Sequence, residues 1–463
     1  MGGEGLGGRL MAAVRSGDAE VVRALLAEGA DPDTRGKDGL PVLCAAVAAF
    51  DVPVAEALED GGADPDLPLP DETTPLLRAV DLGSPAVFMA VLGREPRLRL
   101  PEPDRERLLG LARGWYERGA AEELRRRTGA QGPAETVRVP DGEYHHVEQI
   151  TLGGLTVRAG HGSILTDLEW AFRVLTPVDE LVARGVRHRD EDHTDWWSAC
   201  HVLSQRPSRE TWQAVTAYRH HPDPLHRRFA LEFLWSCAIL PHESSDANDQ
   251  DTCRLLATWA PEETDTDVLA KILELFAGYT HSGQEAVGHR YTCHPEPRVR
   301  QEVPYLLCAY GVPLTPTARV ALLTLARDLH PGVRAAACAV LGQWHDLSPG
   351  VTGTLLALLQ DPEVRGSAAT ALAGCPDRSP AVTEALAGLL DDEDLLIRLE
   401  AVYGLAQRDD PRCVEGLARI GPLDPAFDID HRPLSVWHYE QRRRAHSSAP
   451  AEPQPRHPGG HGL

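Results

Sequence analysis

The stretch Gly29–Asp33, with the sequence GADPD, recurs unchanged at Gly62–Asp66, 33 residues further along the chain. Just before the first copy, residues 17–26 carry apolar side chains at helical spacing, which predicts an amphipathic helix ending near Gly29. A repeat at fixed distance indicates a structural unit that buries its core against the next copy and displays a long outer surface. The sequence therefore predicts a helical solenoid that acts as a binding or scaffold protein.

Two segments resemble the ankyrin repeat: Glu20–Asp31, and Thr74–Leu77 with the sequence TPLL. The resemblance implies helix–turn–helix units with exposed tips. The chain departs from the family at Cys44 and Leu77, which stand where histidine is usual, and at Glu95–Arg97, which replaces the third glycine-containing turn. The third copy is therefore predicted to end the array, and residues 104–127 to cap it with a helical pair.

A second repeat fills the C-terminal half, with its best-kept copy at Asp361–Arg365, sequence DPEVR. The third residue after the arginine is alanine or valine and the seventh is leucine in every copy, which predicts one helical core stripe. The copies are marked by Arg227, Arg300, Arg334, Arg365 and Arg398. The pattern resembles the HEAT repeat over most of residues 200–421, which implies that Arg300, Arg334, Arg365 and Arg398 stack structurally against acidic groups.

Polar–proline pairs predict where the first helices of these units begin, because the polar side chain can cap the helix and proline tolerates its first turn. They are Thr315–Pro316, Ser348–Pro349, Ser379–Pro380 and Asp410–Pro411. Pro304 interrupts one second helix and is predicted to kink it. Residues 265–278 form a degenerate copy with Leu269 in the arginine position.

Between the arrays, residues 136–139 and 146–152 alternate as strands do, and Gly153–Gly154 predicts a hairpin leading into Leu155–Arg158. The histidines at positions 145, 146 and 161 do not predict a metal site, because neighbouring strand residues point to opposite faces. The run His188–His193 with Asp195 is richer in possible ligands but is interpreted as a solvated connector. Trp196–Trp197 is predicted to begin a packed helix.

The predicted fold class is mainly α, with two α-solenoid arrays, ankyrin-like then HEAT-like, joined through a small β-hairpin. The predicted domains are ankyrin-like repeats with a helical cap (1–127), a linker and hairpin junction (128–165), a HEAT-like solenoid (166–424), a capping helix (425–446) and a disordered tail (447–463).

Composition restricts the partners. A formal charge of −23 opposes nucleic-acid binding, which needs a basic surface to neutralise phosphates. No stretch approaches 18 uncharged apolar residues, so no membrane association is expected. Nine scattered cysteines without a C-x-x-C pair suggest a reducing compartment. The preference for arginine over lysine, with much alanine, glycine and proline, suggests a bacterial cytoplasm.

No catalytic, phosphate-binding or metal-binding motif is found, so neither enzymatic activity nor a cofactor is expected. The favoured function is a non-catalytic scaffold or adaptor that binds protein partners on its repeat surfaces. The alternative is a regulatory or small-ligand-binding protein that uses residues 188–197, including a lyase-like HEAT protein with weak activity. The sequence does not identify the partner.

Two surfaces are predicted to make the contacts. The first is the ankyrin tips, and the second is a strip of second-helix positions two and five residues after the arginine, expected to line a concave face. Its carboxylates and tyrosines suit a partner with a basic face. The candidates are Asp31, Asp33, Asp38, Asp64, Asp66 and Asp71 on the tips, and Glu232, Glu302, Tyr305, Ser367, Thr370, Glu400 and Tyr403 on the strip.

Overall fold

A computed structural model describes residues 5–206, 208–239, 245–308, 314–343, 349–427 and 429–447. Within these ranges the chain forms 26 α-helices and one three-stranded sheet, an α-solenoid architecture as the sequence predicts. Internal contacts divide the chain into two compact units, residues 1–246 and 247–463. Two predicted features lie outside the described residues. They are Ser348, which is predicted to cap a first helix, and residues 448–463, which make up nearly all of the predicted tail.

The first unit holds fourteen helices and all three strands. Its helices are α1 Leu6–Ser16, α2 Ala19–Ala27, α3 Val42–Ala49, α4 Val52–Asp60, α5 Pro75–Leu82, α6 Pro85–Leu92, α7 Pro96–Arg99, α8 Glu102–Arg118, α9 Ala120–Thr128, α10 His161–Ala171, α11 Val178–Gly185, α12 Thr194–Ser204, α13 Arg209–Thr216 and α14 Pro224–Ile239. The strands are β1 Glu135–Pro140, β2 His146–Leu152 and β3 Leu155–Arg158.

The ankyrin-like helices begin at capping side chains that the sequence supplies. The Asp18 carboxylate accepts a hydrogen bond from the backbone N–H of Val21, and Asp51 does the same for Val54, one repeat later. Thr74 caps α5, with Pro75 as its first residue. Since each cap stabilises its helix by about 1 kcal/mol, the polar positions of the repeat fix where its helices start.

The predicted cap of the array forms as α8 and α9. Buried Leu108 and Ala112 of α8 join the core of the ankyrin helices, and Trp115 and Leu124 form a second core beneath the sheet. The strands are antiparallel in the order β1-β2-β3, as the alternating pattern and the Gly153–Gly154 turn predict.

Helix α10 continues the ankyrin core. Its buried residues Ile164, Leu165 and Leu168 lie in the same apolar cluster as the helices of the third repeat. The chain before it is also anchored, because the buried Asp141 carboxylate accepts hydrogen bonds from Ser84 Oγ at 2.5 Å, from the N–H of Ala86 at 2.8 Å and from Arg158 at 2.6 Å. The sheet thus packs against the ankyrin-like helices.

The second unit holds the remaining helices, of which α15 starts just before the division. They are α15 Ser245–Trp259, α16 Thr266–Ala277, α17 Gln284–Tyr291, α18 Pro297–Leu307, α19 Pro316–Leu325, α20 Pro331–Gln343, α21 Pro349–Leu358, α22 Arg365–Gly374, α23 Pro380–Gly388, α24 Leu395–Gln407, α25 Arg412–Ile420 and α26 His431–Ser447. The second helices α16, α18, α20, α22 and α24 pack side by side in sequence order, and α26 packs on α24.

An arginine ladder ties these repeats together. Arg300 makes a two-point ion pair with Asp328 of the next repeat, with both N–O distances 2.7 Å. Arg334 pairs with Asp361 at 2.8 Å, one repeat further on. Each arginine also donates to two backbone carbonyls of its own turn, which confirms its predicted structural role.

The predicted first-helix caps are only partly confirmed. Thr315 caps α19 through the N–H of Ala318, as expected. Ser379 makes no side-chain cap to α23, and its own N–H donates to Asp377 instead. Helix α25 starts at Arg412, later than predicted, and Asp410 accepts the N–H of that residue.

Pro304 lies inside the continuous helix α18, where it is buried among its neighbours.

Candidate functional site

The aspartates of the ankyrin tips hold the backbone of the tips through hydrogen bonds. Asp31 accepts the N–H of Asp33 at 3.0 Å, and Asp64 repeats this bond to Asp66 at 2.9 Å in the next copy. Asp38 likewise accepts the N–H of Leu40. In an Asx turn of this kind, one carboxylate oxygen accepts a backbone N–H two residues further on. These exposed aspartates therefore have only their remaining lone pairs available for a partner.

Two tip aspartates connect neighbouring repeats. Asp33 accepts the N–H of Asp64 at 2.9 Å, and Asp66 forms a 2.5 Å ion pair with Arg99, one repeat further on. Burial raises the pKa of Asp66, against the lowering effect of that arginine. These residues are half-buried structural ties, and they are the least accessible of the predicted tip contacts.

The second tip, which ends at Asp71, is braced where the family histidine is missing. Asp71 accepts hydrogen bonds from the N–H and hydroxyl of Thr73 and from Arg78. Arg78 also donates to the Thr73 hydroxyl at 3.1 Å. Arg78 therefore supplies the side-chain support that Leu77 cannot, and these hydrogen bonds lower the pKa of Asp71.

On the second helices, the two predicted strip positions differ in exposure. The fifth residue after the arginine is the more accessible: Tyr305 is 39% exposed and Thr370 is exposed, whereas Ser367 and Glu302 at the second position are partly buried. Neighbouring second helices pack closely and cover the second position. The accessible strip is consequently narrower than predicted. Glu232, at the fifth position of α14, is partly buried and lies in the first unit.

A carboxylate pair lies on α16 and α18. Exposed Glu274 stands at the fifth position of the degenerate copy, which the sequence pattern missed because Leu269 replaces the marker arginine. Burial, together with the charge of Glu274, raises the pKa of Glu302 from 4.5 to about 7. Burial and the Glu302 charge also raise the pKa of Tyr305. Among the residues that the structure describes, neither glutamate has an ion-pair partner. We call Glu274, Glu302 and Tyr305 the acidic ridge.

The C-terminal end of the predicted strip is already occupied. Glu400 is only 13% exposed in its side chain and pairs with Arg432 of α26 at 3.2 Å. The ring of Tyr403 packs edge-on against His431, with centroids 5.0 Å apart. The capping helix therefore covers these two residues, which takes them out of the candidate partner surface.

The run His188–His193 is not a solvated connector, contrary to the sequence interpretation. His193 and Asp195 are buried, with relative exposures of 1% and 2%. Glu148 of β2 reaches both histidines, with its Oε2 3.2 Å from His193 Nε2 and 3.5 Å from His188 Nδ1. His188 Nε2 lies 3.4 Å from Asp195 Oδ2. We call these four residues the histidine cluster.

The local fold explains why the histidine cluster is buried. His193 caps α12, as its Nδ1 accepts the N–H of Asp195 at 3.1 Å. The Asp195 carboxylate is held by the N–H of Ser163 at 2.6 Å, and the absence of a Cβ at Gly162 lets it approach α10 closely. Trp196 then packs edge-on against Phe229, which confirms that the tryptophan pair begins a packed helix.

The observed ring geometry does not suit a metal ion. The His188 and His193 rings are stacked, with centroids 3.7 Å apart and planes within 10° of each other. A metal bound to imidazole lies in the ring plane, about 2.0–2.1 Å from nitrogen, and no single point satisfies two stacked planes. Moreover, because His193 Nδ1 is an acceptor, its Nε2 carries the proton that is donated to Glu148. Hydrogen bonds and charge contacts, and not a metal ion, therefore hold the cluster together.

The other three histidines of the region lie apart, as the strand geometry predicts. His161 is buried and stacks on Trp115, with centroids 4.7 Å apart, and burial lowers its pKa to about 4. His145 packs against Trp197, and His146 begins β2.

Within the described ranges, no helix has both the length and the apolar character needed to cross a lipid bilayer.

Comparisons with known proteins find the same two repeat types. A family model for the ankyrin repeat matches residues 10–37, and one for HEAT repeats matches residues 351–428. Among curated proteins no sequence matches this chain.

Several solved structures are similar at low identity. The Escherichia coli protein YibA is 15% identical, with a TM-score of 0.43, over 57% of this chain and 93% of its own. The karyopherin Kap121p, solved with the extreme C-terminus of the phosphatase Cdc14p, is 15% identical, with a TM-score of 0.40, over 87% of this chain. This chain spans 46% of the length of that Kap121p chain. The sequence and family matches together show that this chain carries an ankyrin repeat near its N-terminus and HEAT repeats towards its C-terminus.

Proposed function

We propose that this chain is a non-catalytic scaffold that binds a protein partner through lysine or arginine side chains, using the acidic ridge of its second unit. The observation that carries the proposal is the carboxylate pair Glu274 and Glu302, which share no cation among the described residues. Bringing two carboxylates together is unfavourable, and an arriving guanidinium or ammonium group relieves that repulsion.

Tyr305 supports a protein partner over a free inorganic cation. Its partly exposed ring lies on the same helix as Glu302, three residues further along. Tyrosine offers contact area at low cost in conformational entropy and is enriched in protein interfaces. A basic peptide segment would thus find both charge and an apolar surface here.

The exposed tip residues Asp31, Asp38, Asp64 and Asp71 are a second proposed contact set, through the acceptor capacity that their turns leave unused. The strong negative charge argues against nucleic acid as the partner. All nine cysteines are free thiols, which fits a reducing compartment. With the arginine-, alanine- and glycine-rich composition, this supports the proposal that the scaffold works in a bacterial cytoplasm.

Differential affinity capture tests the proposal. Full-length wild type, a double charge reversal E274K/E302K and a matched control E415K would serve as baits at moderate salt, with quantitative mass spectrometry. Glu415 is exposed on the first helix α25, away from the second-helix layer. We expect a stoichiometric protein retained by wild type and E415K and depleted at least tenfold by E274K/E302K.

Retention of that protein by a correctly folded E274K/E302K bait, judged by circular dichroism, would refute the acidic ridge as the binding surface.

A further inference from the structure

We propose that the histidine cluster is a pH-sensitive clasp: protonated His188 holds strand β2 to the start of α12, and loss of that proton releases the contact. The proposal concerns residues 145–152 and 186–197 of the first unit and does not depend on the acidic ridge.

The clasp rests on the position of His188 between two carboxylates. Its Nδ1 faces Glu148 Oε2 at 3.5 Å, and its Nε2 faces Asp195 Oδ2 at 3.4 Å. An imidazolium donates from both nitrogens, whereas either neutral tautomer presents a lone pair to one carboxylate. Only the cation therefore satisfies both contacts.

Neither carboxylate can turn away without a loss. Asp195 is buried, and its other oxygen accepts the N–H of Ser163 on α10. Glu148 is shared with His193, whose ring is fixed by its capping bond to α12. Deprotonation of His188 thus leaves a buried carboxylate facing a lone pair, which is costly in a site of low dielectric.

The contact joins two separate elements. Besides Glu148, β2 meets this turn through the N–H of His146, which donates to the carbonyl of Asp192 at 3.0 Å. Nearby, Arg138 of β1 pairs with Asp190 at 2.8 Å and with Asp192 at 3.5 Å. All these links are polar, whereas the apolar side chains of the sheet pack on α8 and α9. Releasing the clasp would loosen one side of the sheet and leave its core in place.

The surrounding charges act in a consistent direction. Burial alone would lower the pKa of His188, but the hydrogen bond and charge of Asp195, with the charge of Glu148, outweigh burial and Arg187 and raise it above 6.5. The hydrogen bond from His193 lowers the pKa of Glu148 to about 2. From α10, Asp167 lies behind Asp195, and burial raises its pKa to about 7.

The direction in which the stability of the clasp changes with pH follows from these pKa shifts. A histidine whose pKa is raised by folding contributes stability that is complete below pH 6.5 and is lost as pH rises through its folded pKa. Glu148 contributes above about pH 4.5, so its contribution is already present across this range. The clasp is therefore closed below about pH 6.5 and opens as pH rises through the raised pKa of His188.

The test is hydrogen–deuterium exchange with mass spectrometry on the full chain between pH 5.5 and 9, corrected for the intrinsic pH dependence of exchange. In wild type, we expect protection of residues 145–152 and 186–197 to fall at least threefold over this range. E148Q should shift the loss of protection to lower pH, because it removes one of the two carboxylate charges that raise the pKa of His188. H188Q should remove the pH dependence.

Two controls separate the clasp from other groups. H201Q changes a histidine stacked on Trp197, and D167N removes the other nearby group that titrates near neutrality, so both should keep the wild-type transition. The proposal fails if wild-type protection is flat with pH, if D167N alone abolishes the transition, or if E148Q leaves the transition at the wild-type pH. It also fails if micromolar Zn²⁺ increases the protection in wild type and not in H188Q, since the rings would then separate to bind metal.

Discussion

Replacing Glu302 by glutamine should stabilise the second unit at alkaline pH and leave it unchanged in acid. Burial beside Glu274 raises the pKa of Glu302 from 4.5 to about 7. A carboxyl group whose pKa is raised by folding weakens the folded state once it must ionise, so stability is full below pH 4.5 and falls as pH rises through about 7. Glutamine keeps the shape of the side chain and removes the ionisation.

The magnitude follows from the shift. The interval from 4.5 to about 7 corresponds to about 3 kcal/mol, since one pH unit is worth about 1.4 kcal/mol. Glu302 keeps part of its surface in water, and solvent screening reduces the expected gain to about 1–2 kcal/mol above pH 8. For a unit of this size, each kcal/mol moves the melting temperature by about 2–4 °C. The E302Q variant should therefore melt about 2–8 °C above wild type at pH 8.5.

Thermal unfolding followed by circular dichroism at half-unit pH steps from 4 to 9 is the assay. The curves of wild type and E302Q should coincide below pH 4.5, diverge between about pH 4.5 and 7, and keep a constant separation above that. E274Q should give a smaller gain, because burial is the larger cause of the shift. E415Q, an exposed carboxylate on α25, should track wild type throughout. Parallel curves for wild type and E302Q across the range would show that the Glu302 carboxylate is not strained by its surroundings.

Two further predictions concern structural ion pairs. R334A should lower the free energy of unfolding in urea by about 2–4 kcal/mol, because Arg334 is 11% exposed and joins Asp361 to two backbone carbonyls. R298A, which removes an exposed ion pair, should lower it by less than about 1 kcal/mol. Equal losses in the two variants would contradict the stabilising role of the arginine ladder. D141N should destabilise the first unit by about 3–5 kcal/mol, since it leaves the partly buried Arg158 without its counter-ion. D190N, which removes a more exposed pair, is the control. The double variant D141N/R158M should recover part of the loss, and no recovery would show that the two side chains act independently.

Much of this fold could be predicted because the spacing of a sequence repeat shows which residues of successive copies occupy equivalent positions. The recurrence of Gly29–Asp33 and the marker arginines located the helices within a few residues, since each repeat must present the same apolar stripe to its neighbours. The strands were equally visible from their alternation. What the pattern could not give was the packing of α10 against the ankyrin helices, which depends on contacts far apart in the sequence.

The candidate site was predicted less well, for reasons visible at single residues. Glu274 was missed because its repeat has lost the marker arginine, and Glu400 was included because nothing in its own helix reveals that α26 covers it. The histidine cluster combines Glu148 on a strand with His188, forty residues later, so no local motif could report it. In each case the missing information was tertiary.

The acidic residues illustrate how charge has to be weighed in a repeat protein. A formal net charge of −23 and the repeated tip aspartates suggest a broad surface for basic partners. However, Asp33 and Asp66 connect one repeat to the next, and Asp328 pairs with an arginine of the ladder. These carboxylates already have donors, so a partner's lysine or arginine would have to compete with bonds that hold the fold together. Glu302 differs because burial and the charge of Glu274 oppose its ionisation, and a cation arriving there relieves that repulsion. Binding should therefore concentrate where the fold leaves like charges unbalanced, and the number of acidic residues on a surface is a poor guide to that position.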